Sequence, residues 1–333
     1  MSITSRKEST STLLDRFRQG DRVALARLIS HIEDRRPGYH STLARVFSAT
    51  TAAYRVGITG PPGAGKSTLV NRLASDLADE GKRVGIIAVD PTSPFSGGAL
   101  LGDRVRMQGL YGRENVFIRS MATRGSSGGL AAATRDVCVL LEGFGFDYIL
   151  VETVGVGQIE LDVASVCDSV VVVFVPESGD SIQAMKSGLM EIADVFCLNK
   201  ADRPGAERIR AEVESILDVQ RQVRSASRKN DPARWDAAVV ETIASQDKGT
   251  GELWQAVLKH RAHRESSGPE GHRRARVRSD LILSLNELAH DRLQSAIIET
   301  DRLERAVDEI LNGSGDPYTL TRRLYADWIK GQS

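Results

Sequence analysis

The stretch Gly60-Pro-Pro-Gly-Ala-Gly65-Lys66-Ser67-Thr68 constrains this chain more than any other feature. It satisfies G-x-x-x-x-G-K-[ST], a loop whose backbone wraps round a phosphate. An apolar run, Arg55-Val-Gly-Ile-Thr59, precedes it, and Leu69, Val70, Leu73 and Leu77 follow at helical spacing. Strand, glycine-rich turn and helix N-terminus in that order offer an anion backbone N–H groups and the positive end of a helix dipole. Pro62, Gly63, Ala64 and Gly65 form the expected phosphate cradle. Lys66 is expected to reach the β- and γ-phosphates and Ser67 to ligate Mg²⁺. A nucleoside triphosphate is the expected ligand.

The chain has 333 residues, 41% of them hydrophobic, which suffices for a large packed core with appendages. Lys plus Arg and Asp plus Glu number 44 each, a balance that argues against a dedicated nucleic-acid or membrane-surface binder. Cys138, Cys167 and Cys197 sit in or beside apolar segments without metal-type spacing and read as buried, reduced thiols. The first residues carry no apolar signal region, and no run approaches the ~18 apolar residues of a membrane span. A soluble cytoplasmic protein is expected.

Residues 1–50 read as an N-terminal helical extension. Leu25, Leu28, Ile29 and Ile32 form a burial stripe, and Arg36-Pro37-Gly38 breaks the helix. Residues 51–265 alternate short apolar runs with helical patterns. The strand candidates are Arg55–Thr59, Arg83–Val89, Val116–Ile118, Tyr148–Glu152, Val170–Val175, Val195–Asn199 and Val239–Thr242. Continuous apolar runs suit strands buried on both faces, so the expected fold class is α/β with a mostly parallel sheet. Ligands of such sheets bind at the carboxyl ends of the strands. Residues 266–333 read as an all-helical C-terminal arm. His260 and His263 are placed together on a surface helix face.

Asn199-Lys200-Ala201-Asp202 stands at one strand end. The Asp202 carboxylate can accept from guanine N1–H and the exocyclic amine, donors that adenine lacks at that edge. Lys200 can lay its stem over the purine. Thr242-Ile243-Ala244-Ser245 ends a later strand, where Ile243, Ala244 and Ser245 can offer a backbone N–H to guanine O6. Asp90 and Glu152 also stand at strand ends and supply oxygen ligands for Mg²⁺, directly or through water. Gly155 can sense the γ-phosphate with its N–H. The loop 91–104 brings Asp103 towards metal or water, and the loop 176–186 carries Asp180, Gln183 and Lys186. Both read as candidate switch segments.

Taken together, Gly57–Thr68, Ala88-Val-Asp-Pro-Thr-Ser93, Gly97-Gly-Ala-Leu-Leu-Gly-Asp-Arg104, Val151-Glu-Thr-Val-Gly-Val-Gly-Gln158 and Asn199–Asp202 resemble the MeaB/ArgK-type GTPases. The resemblance spans roughly residues 20–330. It implies a P-loop GTPase core with helical extensions and a homodimer made through the C-terminal arm. It also implies a chaperone role for adenosylcobalamin-dependent acyl-CoA mutases, with adenosylcobalamin bound by the partner. GTP and GDP with Mg²⁺ are then the chain's own ligands. By matching position, Lys66, Ser67 and Thr68 bind phosphate and Mg²⁺, and Asp90, Asp103 and Glu152 belong to the metal and switch region. Asn199, Lys200 and Asp202 hold guanine, and Asp180, Gln183 and Lys186 signal to the mutase. Pro94-Phe95-Ser96 departs from the more polar segment of some members and marks a subgroup.

No Gln directly follows Glu152-Thr-Val-Gly155, so the water-positioning group stays open among Asp103, Glu152, Gln183 and Lys186, with Lys66 supplying charge. Three other readings remain. A nickel-delivery GTPase of the same fold would need a Cys and His constellation. A small-molecule kinase would need an acceptor pocket and a lid. A nucleotide-dependent scaffold would need no turnover.

Overall fold

Seven strands, each close to an apolar run picked out above, form one all-parallel sheet. They are β1 (Tyr54–Thr59), β2 (Val84–Pro91), β3 (Val116–Thr123), β4 (Tyr148–Thr153), β5 (Ser169–Phe174), β6 (Val195–Asn199) and β7 (Ala238–Thr242). The sheet order is β3-β2-β4-β1-β5-β6-β7. This computed structural model describes residues 9–47, 53–91, 107–123, 129–153, 159–176, 188–226, 235–266, 269–298 and 300–330. The chain forms two compact units, Met1–Ala275 and Arg276–Ser333.

The central strands are largely apolar because they feed two cores. Ile149, Val151, Val170, Val172, Phe196 and Leu198 point into one core. Their neighbours Leu150, Val171, Val173, Val195 and Cys197 point into the other. The first core is closed by α1 (Thr10–Arg18), α2 (Arg22–Glu33), α3 (Tyr39–Phe47), α5 (Gly129–Phe144), α6 (Ile159–Val166) and α7 (Ala206–Ala226). The second is closed by α4 (Lys66–Asp79) and α8 (Thr250–Ser266). The N-terminal helices thus share a core with the sheet. Asp21 caps α2, accepting from Val23 N–H at 2.7 Å. Gly143 lets α3 approach α5, since a Cβ there would lie 2.3 Å from Val46 Cγ1.

β3 runs past its expected end at Ile118 to Thr123. The polar residues that hid this extension are held from outside the sheet: Arg119 pairs with Glu33 and donates to Ser30 Oγ at 3.0 Å.

At the amino ends of the central strands, Tyr54 Oη and Ser169 Oγ lie 2.6 Å apart, and Ser169 Oγ lies 2.7 Å from His260 Nδ1. His260 Nε2 faces Asp194 Oδ1 at 3.3 Å. The surface placement expected for His260 is corrected here: it is 3% exposed. Strand-end polar groups that no sequence period reveals require a buried partner.

The C-terminal unit contains most of α9 (Pro269–Leu293), a π-helical turn (Gln294–Ile298), α10 (Asp301–Leu311) and α11 (Pro317–Lys330). Ile297, Ala306 and Leu320 are buried, and Arg323 pairs with Glu309 at 2.7 Å. Leu281, Ile282, Leu285 and Leu288 on α9 are exposed. Among the described residues no helix is long and apolar enough to cross a membrane.

Candidate nucleotide site

β1 lies between β4 and β5, with Ile58 opposite Glu152 and Thr59 opposite Val172. The phosphate loop leaves β1 beside both neighbours. Gly60 has φ +135°, and a Cβ there would meet Val173 O at 2.0 Å, so only glycine fits. Gly65 caps α4 at φ +87°, where a Cβ would lie 2.4 Å from Asn199 Nδ2. The loop closes this tightly because both turns lack side chains.

Lys66 opens α4 and is 6% exposed. Its ammonium donates to the carbonyls of Gly60 at 2.7 Å and Pro61 at 2.9 Å. A buried cation is thereby held by the loop it serves, at a helix N-terminus that itself favours anions. Ser67 Oγ donates to Glu152 Oε1 at 2.6 Å. A hydroxyl and a carboxylate held together at the mouth of the loop form a hard oxygen donor set, which suits Mg²⁺. Asp90 is the penultimate residue of β2, opposite Ala122. Its side chain lies outside the described residues, as do Asp103, Gly155, Asp180, Gln183 and Lys186.

Asn199 joins three loops. Its Nδ2 donates to Ala64 O at 2.8 Å, and its Oδ1 accepts from Thr242 Oγ1 at 3.0 Å and Ala244 N–H at 3.1 Å. The β6–β7 register sets this, since Asn199 stands opposite Thr242. Ala201 N–H donates to Thr242 O at 3.1 Å, so backbone and side chain tie the same two turns. Lys200 takes φ +57°, which turns the chain sharply out of β6. Asp202 is exposed. Ala244 is buried, Ile243 is half-buried and bridged to Lys248, and Ser245 is exposed. Pro62, Gly63 and Thr68 are also exposed, at the outer rim.

Four contacts were not legible in the motifs. Thr153 Oγ1 donates to Thr59 Oγ1 at 2.8 Å, pinning the ends of β4 and β1. Arg72 of α4 pairs with Asp247, which also accepts from Thr250 Oγ1 at 2.7 Å. Cys197 Sγ lies 3.2 Å from Thr242 Oγ1. Burial pushes the Cys197 thiol up to about 12, so it stays protonated. Among the described residues no group of three or more His, Cys, Asp or Glu could hold a metal ion.

The family model described as methylmalonyl Co-A mutase-associated GTPase MeaB matches residues 25–302. The chain belongs to the MeaB family. A Pyrococcus abyssi protein that carries a GTPase name is 43% identical over 96% of this chain and 97% of its own length. The mouse mitochondrial methylmalonic aciduria type A homolog is 39% identical over 65% of this chain and 51% of its own. The crystal structure of a LAO/AO transport system kinase has a TM-score of 0.69 at 25% identity, covering 98% of this chain and 99% of that one. This MeaB-family chain is a P-loop GTPase, and the candidate site above lies at the carboxyl ends of its strands.

Proposed function

We propose that this GTPase is a chaperone of an adenosylcobalamin-dependent acyl-CoA mutase, gating cofactor loading and protecting the mutase. The observation that carries the reading is the match to a mutase-associated GTPase family over residues 25–302. The methylmalonic aciduria name of the mouse relative supports the same partner class.

On this reading the residues take the following roles. The phosphate loop from Pro62 to Thr68 cradles the phosphates, with Lys66 opposing their charge. Asn199 holds the phosphate loop and the 242–245 turn in register, and Lys200 and Asp202 take guanine. Ser67, Asp90, Asp103 and Glu152 would hold Mg²⁺, which would supply charge neutralisation for the phosphates. Water attacks the γ-phosphorus, the bond to the β–γ bridging oxygen breaks, and GDP and phosphate leave. Asp103, Glu152, Gln183 and Lys186 are the candidates to orient that water. Asp180, Gln183 and Lys186 carry the signal to the mutase.

The GTPase domain spans residues 51–265, flanked by the 1–50 extension and a 266–333 arm. We assign the arm to homodimerisation, which the exposed Leu281, Ile282, Leu285 and Leu288 of α9 support. A cytoplasmic location fits three cysteines that form no disulfide.

The test is steady-state GTP hydrolysis alone and with adenosylcobalamin-dependent acyl-CoA mutases of the same organism. Stimulation by one of them of about tenfold, ~1.4 kcal/mol of barrier, is expected. Intact hydrolysis that no mutase stimulates would contradict the partner assignment and favour a metal-delivery role.

A further inference from the structure

The side chains beneath the Asn199 contact form a directed hydrogen-bond chain that the site motifs do not contain. Side chains two apart on a strand share a face, so Cys197 and Asn199 of β6 point the same way. Thr242 stands opposite Asn199 on β7. Its hydroxyl lies between the two, 3.2 Å from Cys197 Sγ and 3.0 Å from Asn199 Oδ1. All three residues are buried, at 0%, 1% and 2% exposure for Cys197, Thr242 and Asn199.

Donor arithmetic fixes the direction of the chain. A threonine hydroxyl has one hydrogen. The end of the Asn199 amide that faces Thr242 is Oδ1, an acceptor only, because Nδ2 is turned to the Ala64 carbonyl at 2.8 Å. The Thr242 hydrogen therefore goes to Asn199, and the Cys197 thiol donates to Thr242 Oγ1. Burial keeps that thiol protonated, so the donor persists at neutral pH. The sequence of donors runs Cys197 to Thr242 to Asn199 to Ala64, from the sheet core into the phosphate loop. Ala64 is 0% exposed, so the last acceptor in this chain is shielded from water. The Ala244 N–H at 3.1 Å and the Ala64 carbonyl decide which end of the amide faces which loop. Thr242 supplies the second bond to Oδ1, and with it the lateral position of the amide.

We propose that Cys197 and Thr242 are positioning residues for the guanine nucleotide: the thiol orients the Thr242 hydroxyl, and the hydroxyl holds the Asn199 amide that locks the phosphate loop to the base-binding turns. This rests on the reading of Asn199–Asp202 as the base site. A rigid bracket fixes the distance between the phosphate cradle and the base turn before nucleotide arrives. Its loss appears as weaker binding and faster release, since a site that must be ordered by its ligand binds less tightly.

The test uses the full chain and four variants: Thr242→Val, Thr242→Ser, Cys197→Ala and Cys197→Ser. Valine keeps the shape of threonine and removes the hydroxyl. The readouts are the dissociation rate of a fluorescent GDP analogue, the KM and kcat for GTP, and thermal melting without nucleotide. Thr242→Val is expected to speed GDP release and raise KM about tenfold, with the larger share of the loss in KM rather than kcat. Thr242→Ser restores both to within about twofold. Cys197→Ala is expected to raise KM about threefold, because a thiol is a weak donor, and Cys197→Ser restores it. A merely structural role would lower the melting temperature and the active fraction while leaving the KM of the folded fraction in place.

A KM within twofold of wild type in both Thr242→Val and Cys197→Ala overturns the proposal, as does a Thr242→Ser variant no better than Thr242→Val. If Thr242→Val does not fold, the cysteine pair carries the decision alone. A wild-type protein that binds GDP no better than ADP overturns the base-site reading instead, and this proposal falls with it.

Discussion

Replacing Glu142 with Leu removes the carboxylate that faces Arg55 across the first core. Arg55 Nε donates to Glu142 Oε1 at 2.8 Å, and the two side chains are 1% and 4% exposed. The guanidinium also donates to Val166 O at 3.2 Å, while the Arg55 backbone N–H donates to Asp168 Oδ2 at 2.8 Å. Glu142→Leu leaves the buried Arg55 charge without its hydrogen-bonded carboxylate and with Asp168 as its remaining acidic neighbour, in β1, the strand that leads to the phosphate loop. Arginine cannot shed its proton, so the charge persists. Breaking a buried pair from one side costs about 3–5 kcal/mol. With a urea dependence of about 2–3 kcal/mol per molar, the unfolding midpoint falls by about 1–2.5 M. Adding Arg55→Met removes the stranded charge together with its desolvation cost, so the double variant recovers most of the loss. Urea melts of wild type, both single variants and the double variant, followed by circular dichroism, measure this. A Glu142→Leu variant within about 1 kcal/mol of wild type, or a double variant less stable than that single one, refutes the reasoning.

Two further perturbations probe the phosphate loop and the Asp194 carboxyl beside His260. Gly60→Ala and Gly63→Ala differ in space, not in sign of φ. A Cβ at Gly60 meets Val173 O at 2.0 Å, whereas at Gly63, with φ +76°, nothing lies within 4 Å. Thermal melting is expected to show a loss of about 3 kcal/mol or more at Gly60 and about 1 kcal/mol at Gly63. Equal losses would contradict the packing argument. Asp194 tests pH linkage. Burial pushes its carboxyl from the ordinary 3.8 up to about 6, against the opposing pull of the Val170 N–H and Arg264. The folded state then binds the proton more tightly than the unfolded chain, so stability falls as pH rises from about 4 to about 6 and is level above that. Asp194→Asn is expected to flatten that slope in urea melts taken across this range, and an unchanged slope would assign it elsewhere.

The strands were legible because burial on both faces leaves an uninterrupted apolar run, as in Val170–Val175, and the phosphate loop because backbone clearance dictates Gly60 while positive φ favours glycine at Gly63 and Gly65. The stripe of Leu25, Leu28, Ile29 and Ile32 likewise gave α2 its buried face. Three things were hidden, each depending on residues distant in sequence. β3 continues to Thr123 past Arg119, which is held by Glu33, 86 residues away. His260 shares its helix with the half-buried His263, and only the fold brings it Ser169 and Asp194. Cys197 read as another buried thiol, which it is, and nothing in the run Val195–Leu198 signals its contact with Thr242. At Asn199 the motif located the residue, while the β6–β7 register supplied the partners that explain its role.

The most direct measurement is nucleotide selectivity at Asp202. Guanine offers N1–H and an amine to this carboxylate, whereas xanthine offers N1–H and a carbonyl oxygen, the pattern that a carboxamide matches. Hydrolysis of GTP, ATP and XTP should be compared for wild type and Asp202→Asn. Wild type is expected to favour GTP by about a hundredfold or more in kcat/KM, from two charge-assisted hydrogen bonds. Asp202→Asn is expected to lose GTP and gain XTP by a comparable factor. A wild type indifferent to the base, or a variant that keeps its preference for GTP, would contradict the assignment of this site.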